Sequence, residues 1–252
     1  MDQTLYSRMA SVEDTHWWFA ARRMILESII AGRILPSGAD ILEAGCGTGG
    51  NLAMLASRGH VHATEMNIEA MSFAVSRGIG DISAGRLPDD IGFGTQGFDL
   101  IVLLDVLEHI DDDCAALRAL RKRLNPNGWL VVTVPAYPVL WGHHDEIHHH
   151  KRRYTLKTLC QAARTAGCSV SYVSHFNFWL FPAIALVRLV RRWTSSTRPE
   201  NLMIPPSWLN AALTGLLASE RYFLGRRRIL PFGLSLVLVA QSDLNDSPAH
   251  IG

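Results

Sequence analysis

Cysteine is scarce and unclustered: residues 46, 114, 160 and 168 form no C-x-x-C pair. That excludes a zinc ribbon and offers no disulfide framework, so a reducing compartment is expected. Long apolar runs are also missing. A membrane-spanning helix needs roughly 18–20 uninterrupted apolar residues. The nearest stretch, FNFWLFPAIALVRLV (176–190), holds Pro182 and gives way to arginines. Neither sign of charge dominates: 24 Lys and Arg face 23 Asp and Glu, a net charge of +1, so no global attraction to nucleic acid is expected. The first residues show no signal-peptide apolar run, which predicts a cytoplasmic protein. What the chain does have is 48% apolar residues, ample for a buried core in 252 residues.

Those apolar residues alternate between short runs and helical spacing, a pattern that predicts βαβ units and a parallel sheet. Strands are read at 40–45, 60–66, 78–83, 98–105 and 129–135, with helix-compatible segments between them and a stop at Asn127-Gly128. Residues 11–34 predict one or two helices, and a further helix spans about 155–166 with Thr155 as N-cap. Two last strands fall at 168–176 and 234–242. Strands so placed are normally joined by a short hairpin, yet 177–233 separates them. That segment has eight arginines against two glutamates, a balance of +6 that leaves −5 for the rest of the chain, and it holds Trp179, Trp193 and Trp208. It reads as a basic, apolar helical insertion broken at Pro205-Pro206. The division expected is an N-terminal helical lid (1–37), a core (38–176), the insertion (177–233), and the final strand with a tail (234–252).

EAGCGTGG (43–50) follows a strand and opens a helix. Glycines allow a tight turn and close backbone approach, and a helix N-terminus offers unpaired N–H groups. Gly45, Gly47 and Gly50 satisfy the dinucleotide pattern G-x-G-x-x-G, and Glu65, twenty residues past Gly45, is placed to bind ribose hydroxyls. An NAD-dependent oxidoreductase and other adenosine-binding proteins are both compatible with this much.

Four features occur together: Glu43 ahead of the glycines, the tighter G-x-G-x-G of 45–49, the tract FDLIVLLDVLEHI, and an L-x-P-x-G-x-L strand from Leu124 to Leu130. As a set they resemble the class I S-adenosylmethionine (SAM)-dependent methyltransferases, especially the bacterial small-molecule and quinone-methyltransferase group. The resemblance covers about 38–176 and the final strand. It implies an α/β, Rossmann-like fold: a seven-stranded, mostly parallel sheet with an antiparallel last strand, and SAM as cofactor. Glu43, Gly45, Cys46, Gly47 and Gly49 would hold its methionine end, Glu65 with neighbouring Met66 its ribose, and Ser83 and Ala84 its adenine. Many relatives carry an acidic residue where Ser83 falls. Asp105 would face the cofactor from the end of the fourth strand.

Ligands of open parallel sheets bind beyond the carboxyl ends of the strands, and the loop after the fifth strand, HHDEIHHHKRRY (143–154), starts from one. It holds five of the eleven histidines. LWGHHDEIHHHKRRY resembles a W-x-x-H-D…H-x-R-R-Y tract in a bacterial subgroup, aligning His144, Asp145, His150, Arg152, Arg153 and Tyr154. A His-carboxylate pair makes a general base, Arg152 and Arg153 suit an anionic group of the acceptor, and Tyr154 would cap or line the pocket. His109, just past the fourth strand, is a competing base. No metal is expected, because three consecutive histidines do not converge easily on one ion. The start EDTHWWFAARR resembles the same subgroup, and Trp17 and Trp18 are read as a lid touching cofactor and acceptor.

The expectation is a SAM-dependent methyltransferase, O-directed, acting on a hydrophobic small molecule or lipid-linked group. Arginines beside an apolar run with flanking tryptophans also suit an anionic membrane surface, which would place the protein at the inner membrane face. The alternatives are an oxidoreductase and a non-catalytic SAM-binding or membrane adaptor; the oligomeric state is not indicated.

Overall fold

A computed structural model describes residues 3–194 and 203–242. In chain order the elements are α1 (Gln3–Val12), α2 (Trp17–Ala31), β1 (Ala39–Ala44), α3 (Leu52–Ala56), β2 (Gly59–Glu65), α4 (Ile68–Ser76), β3 (Asp81–Ala84), β4 (Phe98–Leu104), α5 (Asp113–Arg121), β5 (Leu124–Pro135), α6 (His143–Ile147), α7 (Leu156–Thr165), β6 (Cys168–Phe176), α8 (Phe181–Thr194), α9 (Ser207–Ala218), α10 (Arg221–Leu224) and β7 (Ser235–Ser242).

The seven strands form one sheet in the order β3-β2-β1-β4-β5-β7-β6, with β7 antiparallel to both neighbours. This is the Rossmann-like arrangement expected. Side chains alternate across a strand, and here both directions lead into core: Ile41, Leu100, Val102 and Val131 pack with α2, α3 and α9, whereas Leu42, Ile101, Leu103 and Val132 pack with α5 and α7. Burial on both faces is why these strands read as continuous apolar runs. Helix α2 buries Ala21, Ile25 and Ile29 with Arg22, Leu26 and Ile30, two i, i+4 rows that make one stripe.

Strand β5 begins at Leu124, five residues ahead of the expected 129. The Asn127-Gly128 stop lies inside it. Phe98 pairs with Leu124 and Leu100 with Trp129, so residues 125–128 bulge out, with Asn127 at φ +64° and Asn125 donating to Asp99 Oδ1 at 2.9 Å. The histidine-rich segment is likewise not wholly loop, since it opens with the short helix α6.

Strand order reverses between β1 and β4, the point where ligands settle in such sheets. The insertion leaves β6 at Phe176 and re-enters at β7. Phe176 and Pro135 both pair with Ser235, so that exit lies on the same carboxyl edge as the end of β5. Helix α8 packs on the turn after β5, with Phe181, Ile184 and Ala185 meeting Tyr137 and Leu140. Helix α9 docks on the start of α2: Asn210 accepts from the Trp17 N–H and donates to Thr15 O, both at 2.9 Å. Buried Glu220 ties the insertion to the β6 exit by accepting the N–H groups of Asn177, Phe178 and Trp179 at 2.7–3.2 Å. The insertion thus bridges the N-terminal helix and the post-β5 loop across the carboxyl edge. The side chains of Arg188, Arg191, Arg192 and Trp193, and all of Arg198 and Glu200, lie outside the described residues.

Candidate active site

The glycine loop turns sharply after β1. Gly45, Gly47 and Gly49 have φ of +79°, +56° and +84°. A Cβ on Gly45 would stand 2.7 Å from Val106 Cγ2, and one on Gly49 2.9 Å from Leu52 Cδ1, so the loop packs tightly on both sides. Among the described residues nothing lies within 4 Å of a Cβ at Gly47, which leaves open space beside this turn. Cys46 is buried beside them, and its thiol is pushed up by that burial and by Glu43 and Glu65.

Glu43 is buried; Oε1 accepts from Asn51 Nδ2 at 2.8 Å, while Oε2 has no hydrogen-bond partner among the described residues. Burial pushes its carboxyl up to about 7 against the pull of Asn51. Glu65 ends β2 and clasps two turns, accepting the Gly47 N–H at 2.9 Å and the Asn67 N–H at 2.8 Å. Ala84 lies directly abreast of Glu65 and Ser83 abreast of Thr64, which puts the β3 end beside the Glu65 carboxylate's strand end. Met66 is 67% exposed next to it.

Sequence reasoning missed how the N-terminal helices are locked to this loop. Glu13, buried after α1, accepts from Thr48 Oγ1 at 2.6 Å and pairs with Arg77 at 2.5 Å. Arg77 also donates to Thr48 O at 2.8 Å and reaches Asp14 at 3.1 Å. Buried Arg22 pairs with Asp105 Oδ2 and donates to Thr133 Oγ1, each at 2.7 Å. Asp105, at φ +56°, turns its carboxylate to α2 and to Thr133, whose hydroxyl donates to Oδ1 at 3.1 Å. Trp18 lies over the Arg22 guanidinium at 5.2 Å, and Trp17 and Trp18 are partly buried against the core. The EDTHWWFAARR stretch held the signal for Glu13 and Arg22; Arg77 and Thr48 carried none.

Beyond β5 the chain runs out through α6 and back beside its own exit: Tyr154 N–H bonds Pro135 O, and Tyr137 N–H bonds Tyr154 O. Lys151 N–H meets Glu108 O at 2.8 Å, which sets His150 against the turn that follows β4. The His109 and His150 rings are 4.7 Å apart, and His150 Nε2 is 3.9 Å from Glu108 Oε1. Asp145, fully buried, accepts from His150 Nδ1 at 2.9 Å, Arg153 Nε at 2.7 Å and the Gly142 N–H at 2.9 Å. Burial alone would raise its carboxyl, but the bonds from His150 and Arg153 hold it well below the usual range. Asp145 orients the His150 imidazole, and the His144 ring packs 4.3 Å from that of His148. Burial and the neighbouring His150 and His148 lower His109 to about 4. Burial and Asp105 raise Glu108.

Three side chains of this loop find partners within the chain. Arg153 is buried, its guanidinium committed to Asp145 and Ala136 O, because the loop's return must neutralise a buried carboxylate. Arg152 binds Asp111 O at 2.6 Å and pairs with Asp113 at 3.2 Å. Tyr154 is buried with its hydroxyl on Asp113 Oδ2 at 2.8 Å, so it supports the loop from beneath. Glu108, which sequence reasoning passed over beside His109, belongs to the cluster instead.

A family model described as a methyltransferase domain matches residues 18–173, and the chain belongs to that family. The sheet order and glycine loop are those of a SAM-dependent methyltransferase. Solved structures agree on the fold. A TehB-like SAM-dependent methyltransferase from Corynebacterium glutamicum superposes with a TM-score of 0.55 at 19% identity, covering 95% of both chains. Phosphoethanolamine N-methyltransferase 2 of Haemonchus contortus, in complex with SAM, gives 0.58 at 16%, covering 86% of this chain and 52% of that one. Among curated proteins, the ubiquinone biosynthesis O-methyltransferase of Xylella fastidiosa is 32% identical over 110 residues, 41% of this chain and 45% of its own. Phosphoethanolamine N-methyltransferase 1 of Arabidopsis thaliana is 30% identical over 111 residues, 39% of this chain and 21% of its own. The matched region thus spans less than half of these curated relatives.

The cofactor is SAM, and three observations fit it. Open space lies where a Gly47 side chain would be, the buried Glu43 Oε2 has no partner among the described residues, as a cationic amino group would need, and each Glu65 oxygen accepts a single N–H bond, which leaves it lone pairs for hydroxyls.

Proposed function

We propose that the chain methylates a hydroxyl oxygen of an apolar small molecule or lipid-linked group. One juxtaposition carries this reading: Glu108, His109 and His150 gather just past Asp105, on the same carboxyl edge as an aromatic wall. In that wall Tyr137 stacks on His175 at 5.3 Å, with Phe181 5.5 Å from Tyr137 and Phe232 5.3 Å from Phe181. The wall suits an apolar ring or chain, and the cluster suits a hydroxyl.

Bound SAM supplies an electrophilic methyl group on a sulfonium leaving group. The chain must align the oxygen and help its proton depart. Asp145 fixes the His150 ring through Nδ1 and leaves Nε2 facing the cluster. Glu43, the glycine loop with Cys46, Glu65 with Met66, and Ser83 with Ala84 would hold the cofactor; His150 and His109 would receive the acceptor, with His144 flanking them and Trp17 and Trp18 bracing the lid. His150→Ala should lower kcat/KM by about 100-fold, the lower range for a lost acid–base group, with the SAM Kd unchanged within about twofold. An unaltered kcat/KM would remove His150 from the chemistry.

Exposed apolar side chains on the insertion support an acceptor drawn from a membrane surface. Trp179, Leu186, Trp208 and Ile229 are 45–71% exposed, and Arg226, Arg227 and Arg228 are exposed beside Ile229. No helix among the described residues is long and apolar enough to cross a membrane, so contact would be interfacial. Flotation with anionic vesicles should carry the protein upward at low salt. A folded protein that stays at the bottom of the gradient would sink the membrane reading.

A further inference from the structure

We infer that Glu108, His109 and His150 form a binding site for a divalent first-row cation such as Zn²⁺, which ligates the acceptor hydroxyl. The role given to the cation rests on the O-methylation reading above; the site itself rests on geometry. Each of the three residues offers a ligand atom, and these atoms lie within 4.8 Å of one another. Bonds of about 2.0–2.2 Å around a tetrahedral centre set ligand atoms roughly 3.3–3.6 Å apart, so modest side-chain rotation closes the set.

Two further observations point to a ligand. Glu108 is 1% exposed, yet among the described residues neither carboxylate oxygen has a hydrogen-bond partner. A buried carboxylate without a donor is costly, and a cation between it and the imidazoles would satisfy it. The surroundings are also those of metal-bound histidines, which typically pass their second ring nitrogen to a carboxylate or a backbone carbonyl. His150 Nδ1 is on Asp145 Oδ1 at 2.9 Å, and its Nε2 lies 3.9 Å from Glu108 Oε1. Two imidazoles and a carboxylate suit Zn²⁺, Fe²⁺ or Co²⁺ and leave a coordination position open.

The step balances without redox change. The coordinated hydroxyl releases its proton to water, and its oxygen lone pair forms the new bond to the methyl carbon. The carbon–sulfur electron pair goes to sulfur, giving a methyl ether and S-adenosylhomocysteine. Bound this way, the imidazoles act on the hydroxyl through the cation, which lowers its pKa and eases the proton's departure.

The test titrates Co²⁺ into the full chain, untagged and stripped of metal, without acceptor, followed by calorimetry and by visible cobalt absorption. One site per chain is expected. Glu108→Gln and His150→Ala should each weaken it about tenfold or more, while His143→Ala/His149→Ala, which removes exposed histidines, should leave it within about twofold. SAM binding by each variant reports its folding; His109→Ala replaces any variant that fails this check. No cobalt uptake by the wild type overturns the proposal. So does a site lost in His143→Ala/His149→Ala but untouched by Glu108→Gln and His150→Ala, which marks adventitious binding. The readout involves no turnover, so its failure leaves the methyl-transfer reading standing, and absent hydroxyl methylation would leave the cation result standing.

Discussion

Replacing Glu65 with alanine should weaken SAM binding by about 100-fold, measured by calorimetry on folded protein. The carboxylate does two jobs. In the structure it ties the glycine loop to the end of β2 through the Gly47 and Asn67 N–H groups. With cofactor bound, its remaining lone pairs would take the ribose hydroxyls. Hydrogen bonds to a charged group contribute about 1.5–3 kcal/mol each. Loss of two such bonds to the ligand is about 3 kcal/mol, close to two decades in Kd. Glu65→Gln keeps one acceptor oxygen and should fall between. A Kd within about threefold of wild type for Glu65→Ala would mean that this carboxylate does not hold the ribose.

Asp145→Ala should be the most destabilising single change in the loop after β5. It leaves the Arg153 guanidinium buried with Ala136 O as its remaining bond, and orphans the Gly142 N–H and His150 Nδ1. Breaking a buried pair by removing one partner costs about 3–5 kcal/mol. At about 2–4 °C per kcal/mol for a chain of this size, calorimetry should show Tm lowered by roughly 10 °C. The same carboxyl has a consequence in acid. Its folded-state pKa is depressed by His150 and Arg153, so its stabilisation is present above the unfolded value of about 3.9 and is lost as pH falls through the folded one. Wild type should lose stability below about pH 4 more steeply than Asp145→Asn. Equal acid slopes, or a Tm within about 2 °C for the alanine variant, would contradict the account of this buried pair.

The parts that could be read from residues alone were those carried by local pattern. Strands buried on both faces announce themselves as apolar runs, so all seven were visible, including the weak β3. The glycine loop and Glu65 are spaced along one βαβ unit, and their positions followed from it. Pairings between distant segments were hidden. Arg22 with Asp105 joins residues 83 apart in the chain, and Arg77 with Glu13 residues 64 apart. Nothing in the spacing of HHDEIHHHKRRY revealed that Asp145 would be buried and draw Arg153 inward, leaving His150 beside Glu108 and His109. The histidine count drew attention to the right loop, yet two of the three clustered side chains come from the turn after β4. The insertion was legible as an interruption; that it arches over the carboxyl edge follows from where β6 ends and β7 begins.

Hydroxyl-directed methyl transfer from SAM at this cluster is the activity we propose. The most direct measurement incubates the protein with methyl-labelled SAM and paired apolar acceptors, hydroquinone- or catechol-bearing on one side and matching amines on the other, and identifies products by mass spectrometry. The account predicts a methyl ether and an equal amount of S-adenosylhomocysteine, nearly abolished by Glu65→Ala and strongly reduced by His150→Ala. Methylated amine with no ether, or equal ether formation by wild type and His150→Ala, would contradict it.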